Sequence, residues 1–208
     1  MKKLSFIIAG MHALASCSNN ESTQNVNNDS ESVENVIMAR RSIRQYTTQT
    51  ISRDTLDQII KCGINAPNGQ ARQAYELRVV NDPKLLKEIS EAVLKDNPEM
   101  SLKPGADNIF FGARAVVFIG NDTNYDMSQV DCGLLGENII LSAWSKGIGS
   151  CCMAHPIRLM KESESCAPYI QKLGFSAGYN LLYSIALGYP NESPDAKPRK
   201  EDMIKYVE

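Results

Sequence analysis

From Val33 onward the chain alternates between stretches of helical periodicity and short continuous apolar runs. Val33, Val36, Ile37 and Arg40 share one face of a first predicted helix, which ends in the basic stretch Arg40-Arg41-Ser42-Ile43-Arg44. Ser52 has the side chain of an N-cap, and Leu56, Ile59, Ile60, Gly63 and Ile64 repeat at helical spacing until Pro67 stops the pattern. Residues 77–80 read as a strand, Asn81-Asp82-Pro83 as a turn, and Leu85, Leu86, Ile89 and Val93 as the inner face of another helix. Residues 115–120 form the unbroken apolar run of a strand covered on both faces. Residues 130–146 are apolar on nearly every side, with Gly133 and Gly136 allowing close approach of another helix, so this segment is expected to be central or to lie at a subunit interface. A short strand after Gly147-Ile148-Gly149-Ser150, a helix near 161–173 and a last strand over 181–187 complete the pattern. Strands and helices follow no regular βαβ period, so the predicted class is α+β, a sheet flanked by helices.

The amino-terminal residues read differently. Lys2 and Lys3 precede an apolar run over 4–14 that is too short to span a bilayer, the pattern of a signal peptide. Leu14-Ala15-Ser16-Cys17 is similar to the lipobox of bacterial lipoproteins, in which the cysteine becomes the lipid-bearing first residue. Residues 18–32 are almost wholly Ser, Asn, Glu, Gln, Asp and Thr, too polar to repay the entropy of ordering, so they read as a tether. The expected organisation is a signal peptide at 1–16, a flexible tether at 17–32 and one domain at 33–208. Lipid on Cys17 would place that domain at a membrane, facing the periplasm or cell surface; without it the protein would be cytoplasmic.

Composition narrows the partners. A net charge of -2 and a pI near 5.8 provide no broad basic field, which argues against nucleic acid and for a small molecule. The cysteines at 17, 62, 132, 151, 152 and 166 lack the paired spacing of a zinc or iron–sulfur site, so no metal is expected. No Ser/His/Asp or paired-carboxylate arrangement is visible, and His155, before Pro156, reads as a structural loop residue.

Four segments remain as candidate chemistry. Arg40, Arg41, Ser42 and Arg44 put planar, permanently charged donors in one turn, which suits a phosphate or, equally, a solvated helix end. The loop Ala66-Pro67-Asn68-Gly69-Gln70-Ala71-Arg72-Gln73 could offer Asn68, Gln70, Arg72 and Gln73 to a heteroaromatic edge, or could simply stop a helix. Gly147-Ile148-Gly149-Ser150 frees backbone N–H groups and permits close approach of a flat ring, or is a C-cap. Lys197-Pro198-Arg199-Lys200 is a second phosphate-capable cluster or a solvated tail.

Together these segments resemble the nitroreductase family over the whole length from Val33 to the C-terminus. The resemblance implies a mainly antiparallel central sheet flanked by helices, an intertwined homodimer, and FMN at the subunit interface. It implies FMN contacts from Arg40, Arg41, Ser42 and Arg44 to the phosphate and pyrimidine edge, from Ile148 and Gly149 near N5, and from Lys197 and Arg199 to the phosphate. The family's AP-S-x-x-N-x-Q-P loop matches Ala66, Pro67 and Gln73, while Asn68, Ala71 and Ala74 replace its serine, asparagine and second proline. The implied activity is hydride transfer from NAD(P)H through flavin N5 to a nitroaromatic or quinone-like acceptor by ping-pong exchange. A non-catalytic FMN-binding surface lipoprotein and a flavoenzyme with another electron donor are the alternatives.

Overall fold

The structure, a computed structural model, describes residues 32–208. The signal peptide, Cys17 and all but the last residue of the tether lie outside the described residues. Ser32 caps the first helix, its Oγ accepting the Asn35 N–H at 3.2 Å.

Helix α1 spans Val33–Ala39 and α2 spans Arg53–Ile64, the latter capped by Ser52 as its sequence predicts. Strand β1 (Tyr75–Val80), helix α3 (Pro83–Asp96), strand β2 (Ala115–Asp122) and helix α4 (Ser128–Trp144) follow. The chain continues through β3 (Gly149–Met153), α5 (His155–Glu162), α6 (Ala167–Leu173) and β4 (Tyr179–Gly188). All strand pairings are antiparallel, in the order β1-β2-β4-β3.

The unbroken apolar run of β2 has its physical explanation in this order. Successive side chains of a strand point to opposite faces. Val116 and Phe118 join a core with Leu86, Ile89 and Val93 of α3 and Ile157 of α5, and Phe118 meets Phe110 edge to face with ring centroids 5.6 Å apart. Val117 and Ile119 join a second core with Leu56 and Ile59 of α2 and Leu135 and Ile139 of α4. Both faces of the sheet are therefore helix-covered, which is the α+β arrangement the sequence predicts.

Three local expectations change. The stretch expected as one helix near 161–173 is broken at Ser163, because the Asp96 carboxylate accepts from the Ser163 hydroxyl (2.6 Å), the Ser165 N–H (2.8 Å) and the Ser165 hydroxyl (2.8 Å). These bonds, the one from Ser163 foremost, hold the Asp96 carboxyl below its usual range. Within α4, Gly133 faces open space and Gly136 makes room for the sheet rather than for a helix: a methyl group there would overlap the Tyr183 hydroxyl, which donates to the Cys132 carbonyl at 2.6 Å. On α1 only Val36 is buried, while Val33 and Ile37 are exposed.

Candidate functional site

The stretch after α1 is held as an extra strand-like segment beside β3. Ser42 forms a parallel bridge with Ser150, and the Ile43 N–H donates to the Ser150 carbonyl at 2.9 Å. Ile43 is 1% exposed and its side chain fills the space a side chain at Gly149 would need: a Cβ there would lie 2.8 Å from Ile43 Cγ1 and 3.0 Å from Pro190 Cγ. The Tyr46 hydroxyl donates to the Ile43 carbonyl at 2.7 Å, and burial raises that phenol well above its usual range, which keeps it a donor.

The chain leaving β4 returns along the same segment. Thr47 N–H donates to Tyr189 O, Asn191 N–H to Gln45 O, and Arg44 N–H to the Glu192 carboxylate. This course brings Lys197 and Arg199 opposite the stretch expected from the amino-terminal side of the domain. Arg40, Arg41, Ser42, Arg44, Lys197 and Arg199 line one cavity of about 100 Å³, together with Pro194 and Asp195. Five cations face one lining carboxylate, so the cavity attracts an anion. Arg41 has spent donors on the Met38 carbonyl (2.7 Å) and the Arg40 carbonyl (2.8 Å), anchoring the end of α1. Among the described residues Arg40 has one ion-pair partner, a loose one, Glu137 at 3.9 Å.

Arg44 also borders a second, larger cavity of about 400 Å³. Its walls are mainly apolar, with Met100, Leu102, Ile109 and Phe111 from the segment between α3 and β2, and Met153 and Leu159 from β3 and α5. Cys151, Cys152, Ala154 and His155 line it where β3 passes into α5, a helix whose first turn has no side-chain cap. Burial pushes both thiols above their usual range, which keeps them protonated at neutral pH. A charged, phosphate-sized recess thus adjoins an apolar recess with backbone at its rim, the arrangement a phosphorylated flat heterocycle requires.

The other sequence candidates lie elsewhere. Ile148 is fully buried in the core between the sheet and α4, and Gly149 is buried under Ile43; neither lines either cavity. Burial of the first residues of β3 moves the exposed backbone to its other end, at Ala154 and His155. Sequence reasoning missed these residues and the segment 97–114. The signal available was its length, since a connection of that size without helix or strand in a compact domain is usually functional.

Pro67, Asn68, Gln70, Arg72 and Gln73 form a tight loop ahead of β1. Asn68 Oδ1 accepts the Gln73 N–H at 2.9 Å, buried Asp131 accepts the Gly69 N–H at 3.0 Å, and Arg72 lies over the Tyr125 ring at 4.6 Å. Gln70, Ala71 and Gln73 have φ of 56°, 55° and 49°, a conformation that side chains disfavour and that here keeps the loop compact. This loop sits at the diagonal corner of the sheet from the basic cavity. Tyr75 of β1 is in register with Asn121, and Asn121 with Asn180 at the start of β4, whereas Ser150 pairs with Leu187 near its end. That is roughly 23 Å along β4 and about 14 Å across three strand spacings, further than one flavin nucleotide reaches.

Residues 37–189 match the model of the Nitroreductase family. The chain is 25% identical over 171 residues to an NADPH-flavin oxidoreductase of Vibrio harveyi, covering 78% of this chain and 68% of that protein. It is 25% identical over 186 residues to an FMN reductase (NADPH) of Bacillus subtilis, covering 83% and 71%. Among solved structures it is similar to a nitroreductase with bound FMN from Desulfitobacterium hafniense, with a TM-score of 0.75 and 28% identity over 85% of this chain and 98% of that one.

Proposed function

Because the chain belongs to the nitroreductase family, we propose that it is an FMN-dependent oxidoreductase that takes electrons from NAD(P)H and delivers them to an electron-poor acceptor, a nitroaromatic or quinone-like compound, in ping-pong order. The observation that carries this reading is the meeting of Arg40, Ser42 and Arg44 with Lys197 and Arg199 around one recess beside a large apolar cavity. The residues fit FMN: the basic recess suits one phosphate group, and the apolar cavity suits a ring system.

Arg40, Arg44, Lys197 and Arg199 hold the phosphate through charge-assisted hydrogen bonds. Arg44, bordering both recesses, would set positive charge between the phosphate and the ring. The backbone at Ala154 and His155, at the uncapped start of α5, would hold the bound ring system, and the apolar wall of Met100, Ile109 and Phe111 would exclude water from it. Bound FMN supplies the hydride chemistry at N5, so no side chain need act as nucleophile or base.

The functional unit is a homodimer. Met127, just ahead of α4, and Val130 and Leu134 on it leave an apolar stripe exposed, and the Pro67–Gln73 loop lies too far from its own basic recess to serve that recess's flavin, so it serves the site of a second copy. The purified protein should therefore run at twice the chain mass, release FMN rather than FAD on denaturation, and lose its visible flavin absorbance when NAD(P)H is added without oxygen. Flavin that NAD(P)H does not bleach would leave a binding protein and overturn the enzyme reading.

The charge, apolar run and Leu14-Ala15-Ser16-Cys17 occurring in that order support residues 1–16 as an export signal and Cys17 as the site of lipid attachment; a domain so exported is parted from cytoplasmic NAD(P)H and would take its electrons from a membrane or protein donor instead. Cys17→Ser should move the protein from the membrane fraction to the soluble fraction. Two soluble proteins that both retain Met1 would refute the anchor and place the enzyme with cytoplasmic NAD(P)H.

A further inference from the structure

The larger cavity has a one-sided charge. Among the described residues Arg44 and Lys103 line it, and no Asp or Glu does. Of the two carboxylates four residues from Lys103, Glu99 is exposed and Asp107 is held by both oxygens on Arg114 at 2.7 and 2.8 Å, while Asn108 spends its side chain on the Ala113 carbonyl and the Phe110 and Gly112 N–H groups. Among the described residues Lys103 has no carboxylate within 4.0 Å. His155 lines the same cavity, with Arg158 Nη2 3.2 Å from its Nδ1. A guanidinium can only donate, so Nδ1 accepts and the ring proton is on Nε2, leaving a second donor. Arg44 also borders the basic recess and has Glu192 beside it, which leaves Lys103 and His155 at an otherwise apolar cavity with no carboxylate among its lining residues.

Resting on the flavoenzyme reading above, we propose that this site selects planar, electron-poor aromatic acceptors that carry an anionic substituent, a carboxylate or sulfonate, held by Lys103 and the His155 Nε2–H. The aromatic body lies against the apolar wall while the anion stays at the rim, where its charge is partly solvated. For a nitro acceptor the chemistry balances as two electrons and two protons taken up, yielding the nitroso compound and water; NAD(P)H supplies the electrons and one proton, and water the other. The same cations could instead meet the phosphates of the nicotinamide donor, and the kinetics distinguish the two.

The test compares kcat/KM for 4-nitrobenzoate and neutral 4-nitrobenzamide on the flavin-loaded enzyme with NADPH as donor. The expected preference for the anion is about fivefold, the upper end for a part-exposed ion pair, shrinking as salt is raised. Lys103→Gln should bring the ratio close to one, and Lys103→Arg should restore it. Equal rates on the two compounds, or a preference that survives Lys103→Gln, would overturn the proposal. So would a Lys103→Gln enzyme whose KM rises for NADPH alone, which assigns the lysine to the donor. Absence of bound, reducible flavin in the wild type would overturn the flavoenzyme reading itself, an outcome visible in the spectrum before any acceptor is added.

Discussion

Ile43→Ala is expected to lower the unfolding free energy by about 2–5 kcal/mol, the range for truncating a buried Ile or Leu, and to weaken FMN binding as well. Ile43 is 1% exposed and packs where Gly149 and Pro190 meet, with its backbone bonded to Ser150 and Tyr46. The cavity left by truncation loosens the contact that places Ser42 and Arg44 on one side and the chain beyond Pro190 on the other. Chemical denaturation of the apoprotein measures the first effect and FMN titration the second. Leu56→Ala, buried in the core between α2, α4 and the sheet, none of whose buried residues lines either cavity, controls for stability alone: it should destabilise with little change in FMN affinity. Equal loss of affinity in both variants would mean that the basic recess does not depend on the Ile43 anchor.

Arg40→Ala and Arg199→Ala should each weaken FMN binding by about 1.5–3 kcal/mol, the range for a hydrogen bond to a charged group, or roughly ten- to a hundredfold. They approach the same recess from the two ends of the domain, so the double variant should lose less than the sum, as partners on one phosphate couple. Arg199→Lys should recover only part of the affinity, since an ammonium group keeps the charge but not the planar pair of donors. Titration of apoprotein by flavin fluorescence measures all four. Unchanged affinity in both single variants would place the phosphate elsewhere and sink the assignment of the recess.

The sequence was most informative about the basic recess. Arginine, serine and lysine clusters at 40–44 and 197–199 were visible as chemistry, and the structure brings them to one recess. Their partner cavity was harder to see. Met100, Ile109 and Phe111 look like ordinary apolar residues in an irregular stretch, and the His155-Pro156 pair looks like a turn; only the packing of that stretch over the end of β3 gives them a common surface.

What the sequence determined by itself is the set of elements and the faces they bury. The unbroken run in β2, the Ser52 cap and the period of α2 and α3 are local patterns, and local backbone preferences with hydrophobic periodicity suffice to read them. Tertiary structure decided which ends of those elements meet. Ile148 and Gly149 look open in sequence but become core when Ser42 and Ile43 lie down on β3, so the exposed backbone moves to Ala154 and His155. The Pro67–Gln73 loop looks like part of the same site but is carried to the opposite corner by the β1-β2-β4-β3 order. Strand order depends on pairings between residues tens of positions apart, and the return of the chain after β4 on contacts more than a hundred positions apart, and no periodicity within a single segment encodes them.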